Sequence, residues 1–146
     1  MTKSNPGHYF EDFKPDMELV HATPLTLTSG DISIYRALTG SRHALYSAKT
    51  FATANGFDAL PIDPLLAFHA VFGKTVPDIS LNAVANLGYA DGKFLKTVYP
   101  GDTLRCETEV IEKRRSASRP EMGVYRSRVR VLNQDDLPVM TFISNG

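Results

Sequence analysis

Ser41, His43 and Tyr46 follow closely on a glycine, Gly40, and carry side chains that could move a proton or position one. An imidazole with an ordinary pKa of about 6.5 suits general base work near neutrality. A tyrosine hydroxyl can donate a hydrogen bond to a carbonyl or carboxylate oxygen. Each also has a plain reading, His43 as a loop histidine and Tyr46 as an aromatic plug in an apolar pocket. His69 interrupts the apolar run Leu65 to Phe72 and reads either as a core histidine bonded to backbone, the preferred reading, or as a pocket residue. His8 and His21 carry no motif and read as surface or strand residues. Cys106 alternates with inward-pointing residues and has no activating base beside it, so it reads as core. The four histidines and one cysteine show no metal-ligand spacing.

A second group of residues would hold a ligand instead of transforming it. Lys113, Arg114, Arg115 and Arg119 lie in a segment rich in basic and turn residues, from Lys113 to Gly123. Guanidinium groups pair well with phosphate oxygens, and the alternative is a solvated hairpin loop. Asn82 and Asn86 share one face if their segment is a strand, and they either meet amides of a ligand or satisfy nearby backbone and water. Asp63 directly precedes Pro64, the pattern of a helix N-cap followed by proline at the first helical position.

These groups must be positioned by the elements around them. An irregular arm, from Met1 to about Pro15, leads into a first strand over Glu18 to Thr28. Thr28 with Asp31 three residues on can box the start of a short helix that carries Ile32, Tyr35 and Leu38 and stops at Gly40. A second short helix spans about Ala48 to Ala54 and ends at Asn55 and Gly56. The run from Asp63 to Phe72 has almost no polar face and a glycine, Gly73, just beyond it, which predicts a helix wrapped on most sides by a curled sheet. Everything after Pro77 reads as strand. Leu81, Ala83, Ala85, Leu87 and Tyr89 alternate with Asn82, Val84, Asn86 and Gly88. A turn at Asp91 and Gly92 then leads to a short strand from Phe94 to Val98, and Pro100-Gly101-Asp102 makes the next turn. Leu104, Cys106, Thr108 and Val110 alternate with Arg105, Glu107 and Glu109. Tyr125, Ser127, Val129 and Val131 alternate with Arg126, Arg128 and Arg130, so acidic and basic rows can face each other across neighbouring strands. A last strand covers Val139 to Ser144. The order predicts an α+β domain, a curved antiparallel sheet around one central helix.

At 146 residues, with 42% hydrophobic and 22% charged content, the chain fits one globular domain over 1–146. Sixteen basic residues balance sixteen acidic ones, which removes the long-range drive toward nucleic acid or an anionic membrane. No stretch approaches the roughly 20 apolar residues of a membrane span, and the N-terminus lacks a signal-peptide core. With one cysteine there is no internal disulfide. A cytoplasmic protein is the resulting expectation.

Order and spacing carry a family resemblance over nearly the whole chain. The residues are Tyr9 to Phe13 (YFEDF), Ala37 to Gly40 (ALTG), Phe51-Ala52, Gly56-Phe57 with Pro61-Ile62, and Val98 to Leu104 in the pattern V-x-P-G-D-T-L. This set resembles the MaoC-like hotdog family of acyl-CoA hydratases and dehydratases. The stretch from Phe68 to Phe94 is similar to the N-terminal half of the mesaconyl-CoA hydratase branch, also known as β-methylmalyl-CoA dehydratase.

The resemblance implies a hotdog fold, a coenzyme A thioester as substrate, no metal or organic cofactor, and reversible addition of water to an enoyl-CoA. In the family, ALTG is followed by D-x-N-P-x-H, whose Asp and His do the proton transfer. Counting from Gly40 places Ser41 at the Asp position, His43 at the Asn and Tyr46 at the His. The family's I-x-H-G is Ile62-Asp63-Pro64-Leu65 here. Proline has no N–H to offer an oxyanion, and the Asp63 carboxylate would oppose one. The implied chain is thus the degenerate half of a double-hotdog hydratase, as a separate subunit or a fragment, with Ser41, His43 and Tyr46 at its catalytic positions. Asp63, Asn82, Asn86, Arg114 and Arg115 are its candidate substrate contacts. The implied partners are an acyl-CoA and either a second copy or a catalytic hotdog domain. The alternatives are a non-catalytic acyl-CoA-binding or dimerisation subunit and, less favoured, an acyl-CoA thioesterase.

Overall fold

The computed structural model describes residues 6–146, so the first five residues of the N-terminal arm lie outside the description. Two short strands come first, β1 (Glu18–Val20) and β2 (Leu25–Thr26), followed by helices α1 (Ser29–Thr39), α2 (Ala44–Ser47), α3 (Lys49–Ala54) and α4 (Pro64–Ile79). Strands β3 (Gly88–Phe94), β4 (Thr103–Arg115), β5 (Gly123–Leu132) and β6 (Pro138–Asn145) complete the chain. All the pairings are antiparallel, in the order β1-β4-β5-β6-β3, with β2 also on β4. This is the expected α+β arrangement, with α4 across the inner face of the sheet.

Alternation along β4 and β5 builds the core. Leu104, Cys106, Thr108 and Val110 point inward from β4, and Tyr125, Ser127, Val129 and Val131 do so from β5. Both rows meet Ala67, Val71, Thr75 and Ile79, spaced four apart on one face of α4. On the outer face the acidic and basic rows pair as expected. Glu109 lies opposite Arg128 with an Nη1–Oε2 distance of 3.0 Å, and Glu107 lies opposite Arg130 at 3.4 Å. Such exposed pairs add little stability each, but they keep the outer face in water.

Capping follows the sequence. Thr28 and Asp31 form a reciprocal capping box at α1, and the Asp31 carboxyl is held below its usual range by the Thr28 hydroxyl and amide. Gly40 closes α1 at φ 67°, a left-handed conformation that costs glycine little.

Four expectations change. The first strand is broken after Val20, where the chain turns His21 inward and Thr23 takes φ 63°. Helix α4 does not stop at Gly73 but runs to Ile79 with Gly73 and Pro77 inside it, because Thr75 and Ile79 extend its buried row. It is also covered on one side only: Leu65 is 54% exposed, and His69, Gly73 and Pro77 are exposed with it, so His69 is no core residue. Finally, Leu81 to Leu87 is not a strand. It is a turn and loop whose Val84 and Leu87 are exposed and which pairs with no other strand. Strand β3 starts at Gly88 and absorbs Asp91 and Gly92 as a register irregularity; the segment from Leu95 to Val98 lies beyond its end.

The main polar contact inside the core is one that sequence did not indicate. His21, buried after β1, accepts at Nε2 from the Thr108 hydroxyl at 2.7 Å and donates from Nδ1 to the Asp78 carboxylate at 2.8 Å. The same residue of α4 offers its backbone carbonyl to His8 Nδ1 at 2.7 Å. Asp78 thereby ties the arm, the β1–β2 connection and β4 to the last turn of α4. Replacing His21 with alanine leaves Asp78 and Thr108 without this partner and should cost about 3 kcal/mol. Ser127, whose buried hydroxyl has no partner among the described residues, gives the opposite result: Ser127→Ala should be neutral or stabilising by up to about 1 kcal/mol. Urea unfolding of the two variants checks both signs.

Candidate functional site

The site that sequence points to forms where α1, α2 and α4 meet. The left-handed Gly40 ends α1 and turns the chain so that Ser41 faces the start of α4. Its hydroxyl donates to Asp63 Oδ2 at 2.9 Å, while Asp63 Oδ1 accepts from the Leu65 amide at 2.9 Å. The Asp63 carboxylate thus caps α4 from the helix N-terminus, where the macrodipole favours a negative charge. Pro64 occupies the first helical position and has no N–H to share. His43 is an exposed N-cap of α2, with Nδ1 accepting from the Leu45 amide at 3.3 Å and its ring 5.3 Å from that of Tyr46. The Tyr46 hydroxyl is pushed up in pKa by burial and by the nearby Asp63 charge.

Beneath these groups is a cavity of about 220 Å³. Leu45, Tyr46, Phe57, Pro64 and Phe94 give it an apolar lining, and Lys96 and Thr97 contribute to its wall. Ser41, Asp63 and Tyr46 are therefore brought to one end of α4. Of these residues only Tyr46 lines the cavity; Ser41, His43 and Asp63 do not. Sequence missed Lys96 and Thr97, which carry no motif and were assigned to a strand that is not formed. Within this cluster the base bonded to Ser41 is the Asp63 carboxylate, which is also engaged by the Leu65 amide. The arrangement stabilises a carboxylate, and neither Pro64, which has no N–H, nor Leu65, whose amide is given to Asp63, offers a donor to an oxyanion.

The other candidate contacts lie at the far end of α4. A groove of about 650 Å³ runs between the arm, the loop before β3 and the tip of the β4–β5 hairpin, with Phe13, Ile79 and Tyr125 among its walls. Burial raises the Tyr125 hydroxyl to about 12, with a smaller push from Tyr89. The basic residues there are largely engaged. Lys113 donates to the Phe10 carbonyl at 3.1 Å, and its ammonium stands 4.8 Å from the Phe10 ring. Arg115 stacks on the same ring at 5.0 Å and pairs with Glu11 at 3.3 Å. Arg114 pairs with Val124 in the ladder, and it lines this groove together with Arg115, Arg119 and Asn82. Neither asparagine sits on a strand. Asn82 donates to the Pro6 carbonyl at 2.8 Å, holding the arm, and Asn86 donates to the Tyr89 hydroxyl while accepting from the Gly88 amide, both at 2.8 Å. The structure thus keeps Asn82, Asn86, Arg114 and Arg115 apart from the cluster around Asp63. No group of three or more metal-ligating side chains occurs among the described residues. No helix among them is long and apolar enough to cross a membrane.

Comparison with known proteins gives this geometry a lineage. The model of the mesaconyl-CoA hydratase family matches residues 1–141. The chain belongs to that family. It is similar to the β-methylmalyl-CoA dehydratase of Chloroflexus aurantiacus, with 53% identity over 97% of this chain and 40% of the relative. A solved MaoC domain dehydratase from the same organism superposes with a TM-score of 0.92 at 49% identity, over 99% of this chain and 41% of that one. A Mycobacterium tuberculosis protein with a double hotdog fold superposes with a TM-score of 0.86 at 24% identity, over 95% of this chain and 43% of that one, and supports the fold. The chain spans about two fifths of the length of the curated relatives it matches.

Cys106 offers a direct check on thiol chemistry. Its sulfur donates to the Val71 carbonyl at 3.4 Å, and burial raises the thiol to about 11, partly offset by Lys74. The sign is that of a group kept neutral: below that pH the folded chain presents no thiolate. We expect iodoacetamide at pH 8 to leave Cys106 unlabelled in the folded protein and to label it once urea unfolds the chain.

Proposed function

We propose that this chain is the non-catalytic, acyl-CoA-binding half of an enoyl-CoA hydratase of the mesaconyl-CoA type. The observation that carries this reading is the Ser41–Asp63 hydrogen bond at 2.9 Å. At the positions where the resembled family keeps an aspartate, a histidine and a helix-start amide, this chain has a hydroxyl donor, a tyrosine and Pro64. A carboxylate stands where an oxyanion would have to be stabilised. Hydration needs a base to take a proton from water as its oxygen adds to the β-carbon. It also needs an acid to deliver a proton to the α-carbon, and donors for the enolate oxygen between the two steps. None of these three roles has a suitable group around Asp63, so they fall to a second hotdog domain.

Pairing is supported by the free edge of the sheet. Strand β3 bonds only to β6, and Tyr89 and Phe94 are 48% and 55% exposed on it. Val84 and Leu87 extend the apolar surface through the preceding loop. An edge with this much apolar area is normally covered. Thioester hydrolysis finds no support, since the Cys106 thiol is buried and raised to about 11 and the carboxylate that holds Ser41 is engaged in capping α4.

The test is turnover of mesaconyl-CoA, followed by loss of enoyl thioester absorbance, with a coenzyme A release assay on the same sample. The purified chain should bind the thioester, hydrate it no faster than buffer, and release no thiol. Hydration by the chain alone, lost in Tyr46→Phe, would overturn the reading.

A further inference from the structure

The cavity at the start of α4 holds polar groups that nothing else in the domain uses. One of its walls is the segment that follows β3. Its Leu95 amide donates to the Val139 carbonyl of β6 at 2.9 Å, and its Val98 carbonyl accepts from the Ile62 amide, just before Asp63, at 2.8 Å. Held at both ends, the segment presents Lys96 and Thr97 to the cavity. Neither the Lys96 ammonium nor the Thr97 hydroxyl has a hydrogen-bond or ion-pair partner among the described residues. A second wall comes from α2, where Tyr46 stands near the Asp63 charge. Ile62, Ala67, Val98, Val139 and Met140, all buried, give the cavity an apolar floor. No acidic side chain lines it among the described residues.

An apolar floor with an unpaired cation and an unpaired hydroxyl in one wall fits a short, branched acyl group that ends in a carboxylate. A mesaconyl group has that form: its carboxylate lies at the end of the acyl chain remote from the sulfur, and a methyl branch and a double bond lie between. We infer that Lys96 recognises the carboxylate of the acyl group, with the Thr97 hydroxyl donating to the same carboxylate, so that this chain selects a dicarboxylic thioester over a neutral enoyl thioester. A charge-assisted hydrogen bond gains strength where apolar side chains exclude water from one side of it. The Asp63 charge beside the α2 wall repels the same carboxylate, which directs the acyl group toward Lys96. The inference rests on the acyl-CoA-binding reading above and names the residue that makes the binding specific.

The experiment is titration calorimetry of the full chain with mesaconyl-CoA and with tiglyl-CoA, in which a methyl group replaces the carboxylate, with circular dichroism on every variant. The unaltered chain should bind mesaconyl-CoA about tenfold more tightly than tiglyl-CoA. Lys96→Met removes the charge at an exposed backbone position, so the fold is kept. It should weaken mesaconyl-CoA binding by about tenfold and leave tiglyl-CoA binding unchanged, which abolishes the preference. Lys96→Arg should retain it. Lys93→Met, which removes a neighbouring exposed charge outside the cavity, should leave the ratio of the two affinities unchanged. Equal binding of both thioesters by the unaltered chain, or a preference that survives Lys96→Met, overturns the inference and leaves the acyl-CoA-binding reading intact. Binding of neither thioester overturns that reading and the inference with it.

Discussion

The start of α4 is the constraint on which the rest of this structure depends. Helix α4 supplies one side of the core, and its first turn is fixed by a single carboxylate, Asp63, which accepts from the Leu65 amide. That carboxylate is fixed in turn by the Ser41 hydroxyl, which only the left-handed turn at Gly40 brings within reach. A negative charge and a proline now occupy a helix N-terminus that would otherwise present free amides to an anion. The same substitution that caps the helix well makes the position unfit to stabilise an enolate oxygen.

Much of this was legible in the residues. The order Asp63-Pro64, the Thr28 and Asp31 pair and the charge rows of β4 and β5 each obey a local rule that the structure keeps. The spacing of Ser41, Tyr46 and Asp63 pointed to one place, and they meet there. What could not be read was decided by tertiary contacts. Gly73 and Pro77 look like helix punctuation, yet the helix continues because Thr75 and Ile79 find the sheet. Leu81 to Leu87 alternates like a strand but has no strand to pair with, and Asn82 is used to hold the arm. His21 carries no motif, and its role depends on Thr108 and Asp78, 87 and 57 residues away. The apolar run around His69 predicts a helix wrapped on most sides, whereas the face of α4 that carries His69 is exposed.

The two ends of α4 thus have different fates. At the N-terminal end a small apolar cavity survives under Tyr46, without the groups to act on what enters it. At the C-terminal end two of the basic residues expected to meet phosphate, Lys113 and Arg115, are engaged by the arm through the Phe10 ring and Glu11, while Arg114 and Arg119 line the groove beside them. Among the described residues the outer edge of β3 is left unpaired, with Tyr89 and Phe94 exposed on it. On the function proposed above, this chain contributes shape and contacts while the proton transfers fall to a second hotdog domain.

The most direct measurement of that division is the ¹³C shift of the thioester carbonyl in labelled mesaconyl-CoA bound to this chain alone. Without an oxyanion donor near Asp63, the carbonyl should keep the shift it has in water. A clear downfield shift on binding, reporting a carbonyl polarised by this chain's own groups, would contradict the account.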